Sequence, residues 1–165
     1  MNKKTNLLFI GFMGCGKTTI ARAYAQRYDK FFIDTDELIK QKFNLEIYEI
    51  FSTYGENFFR NEEKKILYFL KHIKNSSIAS GGGFVKQKKI SDIGIVVYLK
   101  SSFEFILKRL DQTQIYTRPL LSNLANAKIL FDQRSQKYEK KANLIIDVEN
   151  KNIEDIISQI YKEVK

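Results

Sequence analysis

The stretch that decides the fold is Gly11-Phe12-Met13-Gly14-Cys15-Gly16-Lys17-Thr18. It fits the pattern G-x-x-x-x-G-K-[ST], and what surrounds it gives the pattern meaning: an apolar run at residues 6–10 reads as a strand before it, and residues 17–28 read as a helix after it. Glycines at these positions let successive backbone N–H groups turn inward around phosphate oxygens, and the positive end of the following helix favours the same anion. Lys17 is placed to bridge the β- and γ-phosphates of a nucleoside triphosphate, and the Thr18 hydroxyl to ligate magnesium. Cys15 sits where the loop needs a small side chain and is read as a filler of serine size.

Short apolar runs alternate with segments of helical period along the rest of the chain, the pattern of parallel strands joined by crossover helices. Strands are expected at 6–10, 31–34, 77–80, 94–99 and 143–147, and helices at 17–28, 56–73, 102–110, 126–142 and 152–164. Residues 37–73 are too many for one crossover helix, so a helical insertion forming one wall of a substrate site is expected there. The only proline, Pro119, lies in the polar stretch 111–123, which reads as a functional lid.

With 165 residues the chain is expected to form one domain, burying about 70% of its unfolded surface. No apolar run approaches the roughly 20 residues that span a bilayer, and the basic N-terminus is not followed by a secretory signal pattern, so a cytoplasmic protein without a membrane role is expected. A single cysteine and a single histidine, His72, exclude internal disulfides, multi-cysteine zinc sites and histidine metal clusters. The net charge of +9 is compatible with a nucleic-acid surface, with a field that gathers anionic small molecules, or with a solvated lysine-rich surface. Lysines occur in dispersed pairs rather than one block, which favours the solvated surface.

The acceptor of a phosphoryl group has to be sought elsewhere in the chain. The strand at 31–34 runs into Asp34-Thr35-Asp36, at the end where open α/β sheets bind ligands. One acid there suits magnesium through its waters and the other suits the proton of an acceptor hydroxyl; alternatively both only cap the next helix. In a helix at 56–73, Glu63 falls on an apolar face and needs a partner, for which Arg60 is one turn away. Gripped by Glu63, Arg60 would direct its planar fork at a substrate carboxylate; the plain alternative is an ordinary helix pair. Gly81-Gly82-Gly83 follow a buried strand and permit close approach to a ligand, or form only a turn. Arg118, in the lid, is placed to reach transferring phosphates on closure, and Arg134 lies on the helix after it, one turn before Tyr138.

Together these motifs resemble the shikimate kinase family over nearly the whole chain. The resemblance rests on the loop at Gly11, Asp34-x-Asp36, Phe51-x-x-x-Gly55-Glu56-x-x-Phe59-Arg60-x-x-Glu63, Gly81-Gly82-Gly83, Arg118-Pro119-Leu120-Leu121 and Arg134-x-x-x-Tyr138-x-x-x-Ala142. It implies transfer of the ATP γ-phosphoryl to the 3-hydroxyl of shikimate, a step toward chorismate and the aromatic amino acids. It also implies a nucleoside monophosphate kinase-like α/β/α sandwich with a five-stranded parallel sheet of order 2-3-1-4-5. By the same resemblance Asp36, Lys17 and Arg118 are the catalytic residues. Gly14, Cys15, Gly16, Lys17, Thr18, Thr19 and Arg118 bind ATP, with Mg2+ on Thr18 and, through water, on Asp34. Asp36, Arg60, Gly82, Arg134, Phe51 and Phe59 bind shikimate. Cys15 replaces the usual serine or alanine and the lid is long for the family, so Arg109 is not carried over as an adenine contact. Rival readings are a gluconate or nucleoside monophosphate kinase of the same fold, or a P-loop ATPase acting on nucleic acid. A monomer that binds shikimate and ATP, and neither nucleic acid nor membrane, is expected.

Overall fold

The computed structural model describes residues 5–110 and 119–165. Five parallel strands run β1 (Leu7–Ile10), β2 (Phe31–Asp34), β3 (Ser76–Ala79), β4 (Ile95–Lys100) and β5 (Leu144–Asp147). They form one sheet in the order β2-β3-β1-β4-β5, as the family resemblance implies. The chain first fills one side of β1 and then the other, so the crevice at the carboxyl end of β1 opens between divergent connections.

Both faces of the central strands are covered, which is why β1 and β4 read as continuous apolar runs rather than alternating ones. β3 departs from that rule with two serines, and each is satisfied locally. Ser77 Oγ donates to the Ala21 carbonyl at 2.6 Å, and the Ser76 N–H donates to Asn6 Oδ1 at 3.0 Å. Asn6 also donates through Nδ2 to Ile73 and Ile93, so one buried amide fixes the entry to three neighbouring strands.

Six helices are present among the described residues: α1 (Lys17–Arg27), α2 (Thr35–Phe43), α3 (Ile47–Leu70), α4 (Phe103–Arg109), α5 (Leu124–Lys141) and α6 (Ile153–Glu163). The expected helical insertion is the pair α2 and α3. The second begins at Ile47 and not at residue 56, because a helical limb precedes the break at Gly55, whose φ of 80° and ψ of 171° are not helical. α3 therefore has two limbs meeting at Gly55. Side-chain oxygens of Asn123 and Asn152 cap α5 and α6, accepting from Asn126 N at 3.0 Å and Asp155 N at 2.8 Å. Of the stretch read as a lid, residues 119–123 are described and begin with a 3-10 turn, Pro119–Leu121, with Leu121 buried in the main core. No helix among the described residues is long and apolar enough to cross a membrane.

Candidate active site

The loop between β1 and α1 has the backbone a phosphate cradle requires. Gly11, Gly14 and Gly16 take φ of 149°, 83° and 99°, and a Cβ on Gly11 would lie 2.8 Å from Cys15 Sγ and 2.9 Å from the Leu99 carbonyl oxygen. Cys15 is thus buried filler against Gly11, as its size suggested. The first turn of α1 holds no acidic side chain, so nothing on the helix cancels its positive end. Lys17 reaches back over the loop, its Nζ donating to the carbonyls of Gly11 and Phe12 at 2.9 Å each. The Thr18 hydroxyl donates to Asp34 Oδ2 at 2.9 Å.

Asp34 and Asp36 divide the two possibilities left open by the sequence. Asp34 caps α2, its Oδ1 accepting from the N–H groups of Asp36 at 3.0 Å and Glu37 at 3.4 Å, and its other oxygen faces Thr18. Asp36 has no capping role. Its Oδ1 is sealed from solvent and has no hydrogen-bond partner among the described residues. Burial, followed by the charges of Asp34 and Glu63, pushes its pKa up to about 7 against the pull of Lys17 and Arg60.

Arg60 is gripped as the helical spacing predicted. Its Nη1 donates to Glu63 Oε2 at 2.7 Å and its Nε to Glu56 Oε1 at 3.1 Å. Glu63 is fully buried, which raises its pKa, while Arg60 acts in the opposite direction. Phe51 and Phe59 stack on one another at 4.5 Å, and the Arg60 guanidinium lies over both rings at 5.9 and 5.4 Å. Arg134 projects from α5, is 6% exposed, and keeps a buried Nε without a partner among the described residues. Burial lowers its pKa.

The three glycines after β3 join these groups. A methyl group on Gly81 would overlap Asp36 Oδ1, and one on Gly83 would overlap the Arg60 guanidinium. One on Gly82 would sit 3.4 Å from Arg134 Nη1 and 3.7 Å from the backbone nitrogen of Met13 in the phosphate loop. A carboxylate, two guanidinium groups and the phosphate loop therefore meet around one short segment. Its backbone is held by the Thr35 hydroxyl, which accepts from Gly81 N at 3.0 Å, and by the Tyr138 hydroxyl, which donates to the Gly82 carbonyl at 2.6 Å.

On the other side of the phosphate loop lies a cavity of about 400 Å³, lined by Cys15, Gly16, Thr19, Phe105, Arg109 and Lys151 among others. Arg109 stands over Gly16, with Nη1 3.7 Å from where a Cβ would be, and stacks on Phe105 at 5.6 Å. Sequence reasoning left Arg109 out. Its only local signal is a cation in the last turn of α4, and only the fold carries it to the loop. Arg118 lies outside the described residues, as does most of the stretch read as a lid.

A family model described as Shikimate kinase matches residues 13–165 of the chain. Shikimate kinase from Helicobacter hepaticus is 40% identical over 164 residues, covering 97% of this chain and 98% of that protein. The enzyme of the same name from Thermodesulfovibrio yellowstonii is 36% identical over 165 residues, covering 96% and 94%. Among solved structures, shikimate kinase from Acinetobacter baumannii in complex with shikimate superposes with a TM-score of 0.89 at 30% identity, covering 98% of this chain and 93% of that one. The family model over residues 13–165 and relatives of this identity and coverage show that the chain belongs to the shikimate kinase family.

Proposed function

We propose that the groups gathered around the glycine segment hold shikimate while the phosphate loop holds ATP, so that this chain carries out the family's reaction, ATP-dependent phosphorylation of a shikimate hydroxyl. The observation that carries the assignment is the meeting of Asp36, Arg60 and Arg134 around Gly81, Gly82 and Gly83, with the phosphate-loop backbone at Met13 beside them.

Arg60 and Arg134 bind the carboxylate of the acceptor, and the stacked rings of Phe51 and Phe59 give its carbocycle an apolar wall. Gly82 lets that ring approach the backbone closely. Asp36 receives the proton of the 3-hydroxyl as its oxygen bonds to the γ-phosphorus and the bond to ADP breaks. Lys17 spreads its charge over the β- and γ-phosphates, and the N–H groups from Gly14 to Thr19 orient them. Magnesium, when bound, neutralises phosphate charge; Thr18 and Asp34 fit it, one as a hydroxyl ligand and the other as an acceptor for coordinated water. Arg118 is assigned to the ATP phosphates on the resemblance alone. The cavity beneath Arg109 is the place for the adenine ring, with the guanidinium over one face.

All of this is proposed for a single domain working as a cytoplasmic monomer without nucleic acid. A coupled assay for ADP with shikimate, gluconate and nucleoside monophosphates as acceptors tests the reading. Turnover with shikimate and none with the others is expected, and absence of ADP formation with shikimate would sink it.

A further inference from the structure

Arg60 is held from outside its own helix by one segment, residues 81–87, among the described residues. That segment reaches it by two routes. Lys86 Nζ donates to Glu56 Oε1 at 2.7 Å, and Glu56 in turn accepts from Arg60. Both side chains on this route are well exposed, at 38% and 51%, so the bridge is screened by salt and contributes little. The second route is partly buried and ends on the fully buried Glu63. Gln87 Nε2 donates to the Arg60 carbonyl at 2.9 Å and to Glu63 Oε2 at 3.3 Å, the same oxygen that receives Arg60 Nη1.

The chemistry at Gln87 is one-sided. Both neighbours of its amide are acceptors, so the NH2 end faces them, and its two protons match a carbonyl and a carboxylate. Glu63 is fully buried, and its other oxygen, Oε1, has no partner among the described residues. Arg60 and Gln87 are thus the hydrogen-bond donors that hold this carboxylate there.

The backbone of Gln87 is fixed in its turn. Lys141 Nζ, from the last turn of α5, donates to the carbonyls of Gln87 at 2.7 Å and Val85 at 2.8 Å, and the Gln87 N–H donates to Phe84. Because α5 also carries Arg134, the segment ties the helix of one guanidinium to the helix of the other.

We propose that Gln87 is a positioning residue for the acceptor site, its side-chain amide locking Glu63 and the Arg60 backbone so that the Arg60 guanidinium keeps a fixed aim relative to Arg134. The inference rests on the proposed role of Arg60 in binding the acceptor's carboxylate. Gln87 touches neither substrate; it acts through Glu63 and Arg60.

The test compares Gln87→Met, Gln87→Lys, Lys86→Met and Arg60→Lys in the full chain by steady-state kinetics with shikimate and ATP. Gln87→Met removes the donor at similar volume and should raise the shikimate KM about tenfold, the effect of losing one donor to a buried charge, with kcat and the ATP KM nearly unchanged. Gln87→Lys returns a donor to Glu63 and should recover most of that loss. The Gln87→Met effect should persist at high salt, whereas a Lys86→Met effect should fade. A shikimate KM within twofold of the parent in Gln87→Met overturns the inference. So does a parallel rise in the ATP KM, or a lysine variant as impaired as the methionine one. If Arg60→Lys raises the shikimate KM while Gln87→Met is silent, the inference alone fails. If Arg60→Lys is also silent, the role of Arg60 beneath it fails as well.

Discussion

The ring of Phe51 stacks on that of Phe59 at 4.5 Å although the two lie on the same helix, eight positions apart. In a straight α-helix that spacing separates Cα atoms by about 12 Å along the axis. The kink at Gly55 lets the two rings meet, and so builds the wall on which Arg60 rests.

Gly55→Ala should therefore damage the acceptor site from a distance. A Cβ there would meet nothing within 4 Å, so the penalty is one of backbone alone, in a region that side chains other than glycine rarely enter. A loss of about 1–3 kcal/mol is expected in chemical denaturation. The shikimate KM should rise and the ATP KM should not; equal increases in both would contradict the proposed wall.

Asp36→Asn should abolish phosphoryl transfer and leave ATP binding largely intact, since the carboxylate serves the acceptor. The parent's kcat/KM for shikimate should climb with pH through about 7, where Asp36 loses its proton. Stability runs the other way. A buried acid whose folded pKa exceeds its unfolded one binds more protons folded than unfolded, so its contribution weakens as pH rises from about 4 to 7. The asparagine variant should thus be at least as stable as the parent at pH 8, by calorimetry. An inactive variant that also melts earlier at that pH would point to a structural role.

Gly81→Ala tests how closely the general base is placed. The new methyl overlaps Asp36 Oδ1, and the carboxylate is the more movable of the two. A misplacement of roughly 1 Å is expected to cost about 100-fold in kcat, with the ATP KM retained. Unchanged kcat would mean that the position of Asp36 is not critical.

Arg109→Ala should raise the ATP KM about tenfold, the scale of a partly desolvated cation over an aromatic face, and leave the shikimate KM alone. Binding of ADP followed by calorimetry gives the same comparison without turnover. An unaltered affinity would move the adenine ring elsewhere.

What could be read from the chain follows the distance over which each feature is determined. The phosphate loop is contiguous, and strand, glycines, lysine and helix are all visible within residues 6–28. The Arg60–Glu63 pair is nearly as local, because a polar residue on an apolar helix face demands a partner one turn away. Asp34 and Asp36 were legible as a pair from the residues themselves, and only the family resemblance gave them separate roles; in the structure Thr18 meets the first and Gly81 the second. The limb of α3 before Gly55 lies inside the helical insertion expected at 37–73, but its start at Ile47 was not assigned, although Ile47, Ile50, Phe51 and Tyr54 keep helical spacing. Arg109 shows locally only as a cation ending α4, and Gln87 has no local signal; each acquires meaning from a contact with a segment far away in sequence.

Asp36 Oδ1, Glu63 Oε1 and Arg134 Nε are buried with no polar neighbour among the described residues to satisfy them. Buried groups left in this way call for a partner from elsewhere. The hydroxyls and carboxylate of the acceptor are suited to supply it, which would make the substrate a folding ligand as well as a reactant. Cells short of it would then hold a less robust enzyme, more open to proteolysis, and a saturating dose should raise the melting temperature in proportion to the logarithm of its concentration.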